Sequence, residues 1–460
     1  MKRRDFVKMA GLGAAWSTTS IAASGEPAKS PGGKAVEEPA RSTPVVAQAD
    51  VVVCGAGPAG TVAAVAAARR GAKTLLLETH GCLGGIWTAG LLAYFLDTGN
   101  KRGLMREVLE RIAKAESRAT GSPARLATCC DPEIVKIVLE QMAAEAGVRV
   151  RYHTRVCAVA IDRSKQNRLT HVIAESKSGR EAFAGSVFID TTGDGDVGAL
   201  AGCRFQMGQA GTGLCQPMSM ICLLTGLVPD EVRPYFRETS GDWAGPKDRL
   251  RAEMEKGGHS PSYAKPSLFR VRDDLFLLMA NHEYGVKGTS ADDVTAATLR
   301  ARAELHALID GLRSLGGVWK NVRIVATAEQ IGVREARRIA GLYEITADDL
   351  REGRKHDDAV CQATFAVDVH ALDPKKEKGI EKSGLRAKPY DIPLRALIAK
   401  DVRGLMMAGR CISGDFLAHS SYRVTGNAAA MGEAAGRVAA AAALAHRLPE
   451  EIPWKQVRES

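Results

Sequence analysis

No two of the ten cysteines stand in a CxxC pair or at any other metal-ligand spacing, so the sequence offers no zinc-type site. Most of them, Cys54, Cys157, Cys203 and Cys411 among them, are flanked by apolar residues or glycine and read as small buried hydrophobes. Cys129 and Cys130 are the exception, adjacent in a polar stretch beside Asp131, where redox or disulfide chemistry has no other support. Lysine and arginine tracts are also missing. The net charge of +10 is scattered along the chain, which argues against the basic stripe a nucleic-acid partner would need. There is no internal repeat, and nothing resembles a haem, iron–sulfur or NAD site that would fix an electron acceptor. What remains is a globular chain of 460 residues, 45% apolar, long enough for about two or three domains.

The first residues carry a targeting pattern. Arg3 and Arg4 are followed by Phe6 and Lys8, then by a mildly apolar stretch from Met9 to Trp16 and by small residues from Ser20 to Ser24. This resembles a twin-arginine signal, whose export machinery becomes an expected partner and the periplasm the expected location. The apolar stretch is too short for a stable membrane span. Residues 25–45, rich in Pro, Ala, Ser and Gly, read as a flexible linker, so residues 1–45 are set apart from the folded chain.

Beyond the linker, Ala49–Cys54 is a short run rich in β-branched residues that stops at Gly55-Ala56-Gly57-Pro58-Ala59-Gly60. Thr61–Arg70 follows, almost pure alanine and valine, and Gly71 closes it. Strand, glycine turn and helix in that order predict a dinucleotide site: Gly55 for the turn, Gly57 for approach to a pyrophosphate, Gly60 for close helix–strand packing. The anionic phosphates would face the helix N-terminus. A second apolar run ends at Glu78, 23 residues after Gly55, where a carboxylate accepts both hydroxyls of an adenosine ribose.

A second glycine-rich loop, Gly81–Gly90, follows Glu78; a plain NAD domain has no need of it, whereas a long FAD molecule does. Val187–Ile189 leads into Asp190-Thr191-Thr192-Gly193-Asp194-Gly195-Asp196, and Gly404–Ala408 leads into Gly409-Arg410-Cys411-Ile412-Ser413-Gly414-Asp415. With Asp131-Pro132-Glu133, His153–Val156, Gln330–Ile339, Tyr390–Pro393 and Met431–Gly436, these motifs give residues 49 to 445 a resemblance to the FAD-dependent oxidoreductase family of the glutathione-reductase-like (GR2-type) flavoprotein superfamily. The resemblance implies an α/β fold: a Rossmann-like FAD-binding domain with three-layer β/β/α architecture, plus an inserted α+β substrate or cap domain. It implies noncovalent FAD held by Gly55, Gly57, Ala59, Gly60, Glu78, Gly84, Gly85, Val156 near the adenine, Asp194, and the turn from Gly409 to Asp415. No histidine has the setting for covalent flavin attachment; His80 reads as a loop residue.

The sequence divides at residues 46–205 for the first part of the FAD domain, 206–384 for the substrate unit and 385–460 for the C-terminal part. An alanine-rich helix opening at Asn427, with Gly432 and Gly436 on one face, would point its N-terminus at the flavin or simply pack against the first helix. The resemblance places His419–Val424 beside the flavin. His419 is then the expected base, Tyr422 a second proton donor or acceptor, and Arg423 an anchor for a carboxylate or the flavin. Arg334, Glu335, Arg337 and Arg338 read as a cluster on a helix, structural or substrate-clamping. Arg168–Asp190 reads as a hairpin turning at Lys177-Ser178-Gly179 that belongs to a small sheet over the adenine half, and Thr289–Leu315 as an amphipathic helix capped by Ser290. The expected activity is hydride transfer from a small organic substrate to FAD, with no metal and no identified electron acceptor. A non-redox isomerase that keeps FAD, or an inactive exported FAD-binding protein, is the alternative.

Overall fold

A computed structural model describes residues 36–121, 129–236, 243–375, 379–381 and 383–458; the predicted twin-arginine signal and most of the linker lie outside them. Strand β1 (Val45–Cys54) buries Val51–Cys54 completely, as a strand flanked by parallel neighbours must. It turns into α1 (Pro58–Arg69), where Pro58 takes the first helical position, its missing N–H costing nothing there. After β2 (Thr74–Leu77) come α2 (Leu104–Thr120) and α3 (Pro132–Glu145), the latter capped by the Asp131 carboxylate, which accepts from the Glu133 N–H. Strands β3 (Arg149–Arg151), β4 (Arg155–Asp162), β5 (Arg168–Ser176) and β6 (Gly179–Asp190) complete a sheet ordered β3-β2-β1-β6-β5-β4.

The expected hairpin is present as β5 and β6, but it is continuous with the parallel sheet. The reason is the length of β6, whose 12 residues let its first half pair β5 while it also runs parallel to β1 as far as Asp190.

The inserted unit has its own antiparallel sheet of β7 (Ile221–Thr225), β8 (Ser267–Arg272), β9 (Leu275–Met279) and, after α4 (Ala291–Ser314), β10 (Arg323–Thr327), in the order β10-β7-β9-β8. Helix α4 starts as its sequence predicts: the Ser290 hydroxyl accepts from the Asp293 N–H, and Asp292 and Asp293 sit in the first turn. Its buried stripe of Leu305, Leu308, Ile309 and Leu312 joins a second core that runs from Met218 to Ile331. Ile339, Ile345, Leu350 and Ala363 instead pack into the first core, so the unit gives way well before the residue 384 expected from sequence. No composition shift marks this return, because short strands of two and five residues make it.

The chain comes back through β11 (Leu405–Met407), which pairs Phe188–Asp190 of β6 where β5 has ended. It then forms α5 (Phe416–Tyr422) and α6 (Thr425–Leu444). Helix α6 lies against α1 at backbone contact: a Cβ on Gly432 would fall 2.1 Å from the Ala59 carbonyl oxygen, and one on Gly436 2.2 Å from that of Ala63. Among the described residues no helix is long and apolar enough to cross a membrane.

Candidate active site

Separate turns meet at the N-terminus of α1. Gly55 has φ +96° and its missing Cβ would lie 2.6 Å from the Thr191 carbonyl oxygen, so no other residue fits there. Gly57 faces open space, with nothing within 4 Å of where a Cβ would be, which leaves the first turn of α1 accessible to a ligand. Gly60 closes on Gly55, as the predicted helix–strand contact requires. Gly84 donates to the Ala56 carbonyl at 2.8 Å, and a Cβ on Gly85 would come within 2.8 Å of the Gly57 Cα. Gly409 stands between Ala59 and Ala428. Buried Glu78 accepts from the Ala56 N–H through one oxygen and from the His80 N–H at 2.7 Å through the other. Its remaining lone pairs are left for a ribose. Val156 is the second residue of β4, two residues after Thr154, whose N–H donates to the Glu78 carbonyl.

Asp194 and Asp415 are committed elsewhere in the protein. The Asp194 carboxylate pairs with Arg410 at 2.9 Å, tying the two flavin-side turns together. Asp415 caps α5, accepting from the Ala418 N–H at 2.8 Å and the Ala347 N–H at 2.7 Å, so its carboxylate acts as a helix cap rather than the expected cofactor ligand. Asn427 is different. It is 0% exposed in the first turn of α6, and neither its amide nitrogen nor its oxygen has a partner among the described residues. Thr425 Oγ1 and Arg410 Nη1 are buried and unpartnered in the same way. Buried polar groups go unpaired at a cost of about 1–3 kcal/mol each, so this group at the start of a 20-residue helix calls for a polar ligand. A flavin fits: its ring carries amide-like edges, and the helix N-terminus favours the negative charge that reduction puts there.

The expected catalytic trio divides. His419 is 0% exposed; its ring lies edge-on to Tyr422, and neither ring nitrogen reaches the surface or a partner among the described residues. Burial, then the charges of Arg338, Arg423 and Arg410, hold it neutral. Nothing among the described residues orients either ring nitrogen for proton transfer, in contrast to His282 and His370. Tyr422 spends its hydroxyl on the Ile412 carbonyl at 3.0 Å in a site with no exposure, so it too is packing, not proton transfer. Arg423 alone faces a polar cluster, where it pairs with Asp368 at 3.2 Å.

That cluster was not visible in the sequence. His370 Nε2 meets Asp368 Oδ2 at 3.1 Å, His370 Nδ1 meets His282 Nε2 at 3.0 Å, and His282 Nδ1 meets the Tyr284 hydroxyl at 3.0 Å. Proton positions follow from this network. An ionised Asp368 can only accept, so His370 donates from Nε2 and accepts at Nδ1; His282 therefore donates from Nε2 and leaves Nδ1 to accept. The result is a hydrogen-bonded wire, its two imidazoles 2% and 4% exposed. Burial raises the Asp368 carboxyl, but His370 and Arg423 outweigh it and hold it below the usual carboxylate range. Burial, then Arg334, pushes His370 down to about 4, and burial likewise keeps His282 neutral. The one signal in the sequence is Asp368-Val369-His370, whose alternation puts both side chains on one face of an extended segment.

The low value at His370 fixes the sign of a pH effect. An unfolded histidine takes up its proton near about 6.5. Between pH 6.5 and 4 the unfolded chain therefore binds a proton that the folded chain refuses, and stability falls as pH falls through that window. His370→Gln is expected to flatten the decline of Tm between those limits; an unchanged slope would mean that His370 is already charged in the fold.

Three contacts carry the cluster to the cofactor side. Arg423 directly precedes the Val424 cap of α6. Gln216 donates to the Ser420 hydroxyl and accepts from the His370 N–H. Ser219 pairs with Gly332, and a Cβ on Gly332 would meet Ile86 of the Gly84–Gly85 loop at 3.4 Å. Residues 330–337 are not helical, and that bridge at Gly332 ties them to the inserted unit instead. The expected arginine cluster therefore comes apart: Arg337 pairs with Asp196, Arg338 with Glu335, and Arg334 enters the cluster. Burial pushes the Cys129 thiol up to about 12 and the Cys130 thiol higher, so neither is a ready nucleophile. Among the described residues no group of His, Cys, Asp and Glu could hold a metal.

Fold and site together define a flavin-binding α/β protein. The chain belongs to the FAD dependent oxidoreductase family, whose model matches residues 50–460. It is an FAD-dependent oxidoreductase. No curated protein matched the sequence. Among solved structures it is similar to the flavin-dependent brominase Bmp2 at 13% identity, TM-score 0.48, over 90% of this chain and 83% of that one. It is also similar to a geranylgeranyl bacteriochlorophyll reductase-like protein from Thermoplasma acidophilum at 13% identity, TM-score 0.43, over 87% of this chain and 80% of that one. The p-nitrophenol 4-monooxygenase PnpA from Pseudomonas putida DLL-E4 is similar at 11% identity, TM-score 0.43, over 88% of this chain and 82% of that one.

Proposed function

We propose that the protein is a dehydrogenase or oxidase that removes a hydride from a small organic substrate and delivers the accompanying proton to His282. The observation that carries this is the wire of two buried neutral imidazoles ending on ionised Asp368, set beside the N-terminus of α6. FAD, when bound, supplies the two-electron acceptor. Asp368 fixes the tautomer of His370, and His370 fixes that of His282, so that His282 Nδ1 presents a lone pair at neutral pH. The Tyr284 hydroxyl, 3.0 Å from that atom, marks the place where a substrate hydroxyl would give up its proton. Burial of both rings keeps bulk water from competing for that atom.

FAD would be held noncovalently, by the turn at Gly55–Gly60, by Glu78 and by Asn427. The Arg3-Arg4 pattern supports export by the twin-arginine route and work in the periplasm, since that route carries folded protein and suits a cofactor loaded beforehand. Anaerobic mixing of the yellow protein with hydroxy acids, sugars and polyols tests the redox reading. Bleaching of the flavin bands by one class is expected. Conversion of a substrate with no bleaching and no net electron transfer would instead establish an isomerase.

A further inference from the structure

Two guanidiniums, Arg334 and Arg423, enter the wire's cluster, and among the described residues Asp368 is the one carboxylate that pairs with either of them. Asp368 is shared between His370 and Arg423. Glu335, whose charge also reaches Arg423, is taken by Arg338, and both of those side chains are buried. Arg334 has no carboxylate partner among the described residues. Its Nη1 donates to the Pro217 carbonyl at 2.7 Å and the Ser219 hydroxyl at 2.8 Å, while Nη2 finds only the Met279 sulfur at 4.0 Å. Arg423 is incomplete as well: its side chain is 10% exposed, and its buried Nε has no partner among the described residues. With His282 and His370 neutral, the cluster holds two positive charges against one negative, a net of one.

A desolvated cation without a counter-ion is strongly disfavoured unless an anion joins it. Burial and the charge of Arg423 lower Arg334 to about 10, which still leaves it protonated at neutral pH. The charge therefore cannot be shed and has to be matched. A carboxylate matches it one for one and presents two oxygens to the fork of donors; a phosphate dianion would overshoot the balance.

We infer that the substrate carries a carboxylate, seated on the unfilled donors of Arg334 with the free Nε edge of Arg423 beside it. This rests on the redox site proposed above and narrows its substrates to small organic acids that hold their oxidisable carbon near His282. Sugars and polyols without an acid group would leave one positive charge unmatched.

The test is binding to the FAD-loaded protein, followed by calorimetry and by perturbation of the flavin spectrum. The probes are acetate, glycolate and benzoate, each against its own amide, with inorganic phosphate as a further arm. At least one acid is expected to bind about ten-fold or more tightly than its amide, since charged hydrogen bonds are roughly twice as strong as neutral ones. That preference should fall to within about two-fold in Arg334→Met and survive in Arg334→Lys, with FAD content unchanged. The comparison in the unaltered protein stands even if Arg334→Met fails to fold. Equal binding of every acid and its amide, an undiminished preference in Arg334→Met, or a preference for phosphate over all three acids would overturn the carboxylate seat. Anaerobic bleaching in the same samples separates the two ideas: bleaching by a neutral substrate sinks the seat alone, whereas acid-selective binding without bleaching by any substrate sinks the redox reading and leaves the seat in place.

Discussion

Gly432→Glu is expected to give protein that cannot hold FAD. Helix α6 reaches the cofactor only because it lies on the backbone of α1, and at their crossing a single Cβ on Gly432 would already sit 2.1 Å from the Ala59 carbonyl oxygen. Ala59 is itself part of the turn expected to take the pyrophosphate, and its Cβ lies against Gly409. Moving α6 outward to admit a side chain therefore separates three parts of the binding site at once: the Gly55–Gly60 turn, the Gly409 turn and the Asn427 amide. Even Gly432→Ala should cost roughly 1–3 kcal/mol or more, the usual range for overpacking a tight contact, and should weaken FAD binding. With glutamate, a charge is added to a position with no exposed path, and the protein should purify colourless if it folds at all. Absorbance ratios of flavin to protein, with Tm as the control for folding, check this. Full flavin loading in a folded Gly432→Glu variant would sink the docking of α6 on α1 as the frame of the site.

The second large effect is kinetic. His282→Gln should slow flavin reduction by a bound substrate by roughly 10²–10⁴-fold, the usual contribution of a positioned base, while FAD content stays as it was. The ring partners of His282 among the described residues are Tyr284, Tyr263 and His370, none of them in the glycine turns, so the cofactor has no reason to leave. His419→Ala provides the contrast. That ring is sealed and makes no hydrogen bond among the described residues, so its removal should lower stability through the cavity it leaves and change the reduction rate little. Rapid mixing under anaerobic conditions measures both. If His282→Gln reduces at the unaltered rate while His419→Ala loses turnover, the base is the one expected from sequence after all.

These contrasts show what sequence can carry. The strand, turn and helix around Gly55–Gly60 were legible because each local requirement is written in consecutive residues, and Glu78 closes the pattern at a fixed distance along the next strand. Helix α4 was legible from its leucine spacing and the Ser290 cap, both of which the structure repeats. Residues 330–338 misled because arginines at spacings of three and four imitate a helix face, whereas the pairing of Gly332 with Ser219 ties the segment to the inserted unit instead. His419 misled for a related reason. It does follow the Gly409 turn, but in α5 its ring lies edge-on to Tyr422 and hydrogen-bonds to nothing among the described residues. The wire could not be read because His282 and His370 are 88 residues apart and meet only when the chain returns from the inserted unit to the first core. Contacts of that kind are set by tertiary packing, which no periodicity records.

One measurement bears most directly on the whole assignment: the visible spectrum of the protein purified from about residue 25, before and after acid precipitation. Yellow protein with bands near about 370 and 450 nm, releasing FAD into the supernatant on precipitation, is the expected result and establishes both the cofactor and its noncovalent attachment. A folded, colourless protein that takes up no added FAD would contradict it, and colour that stays with the precipitate would contradict the noncovalent attachment.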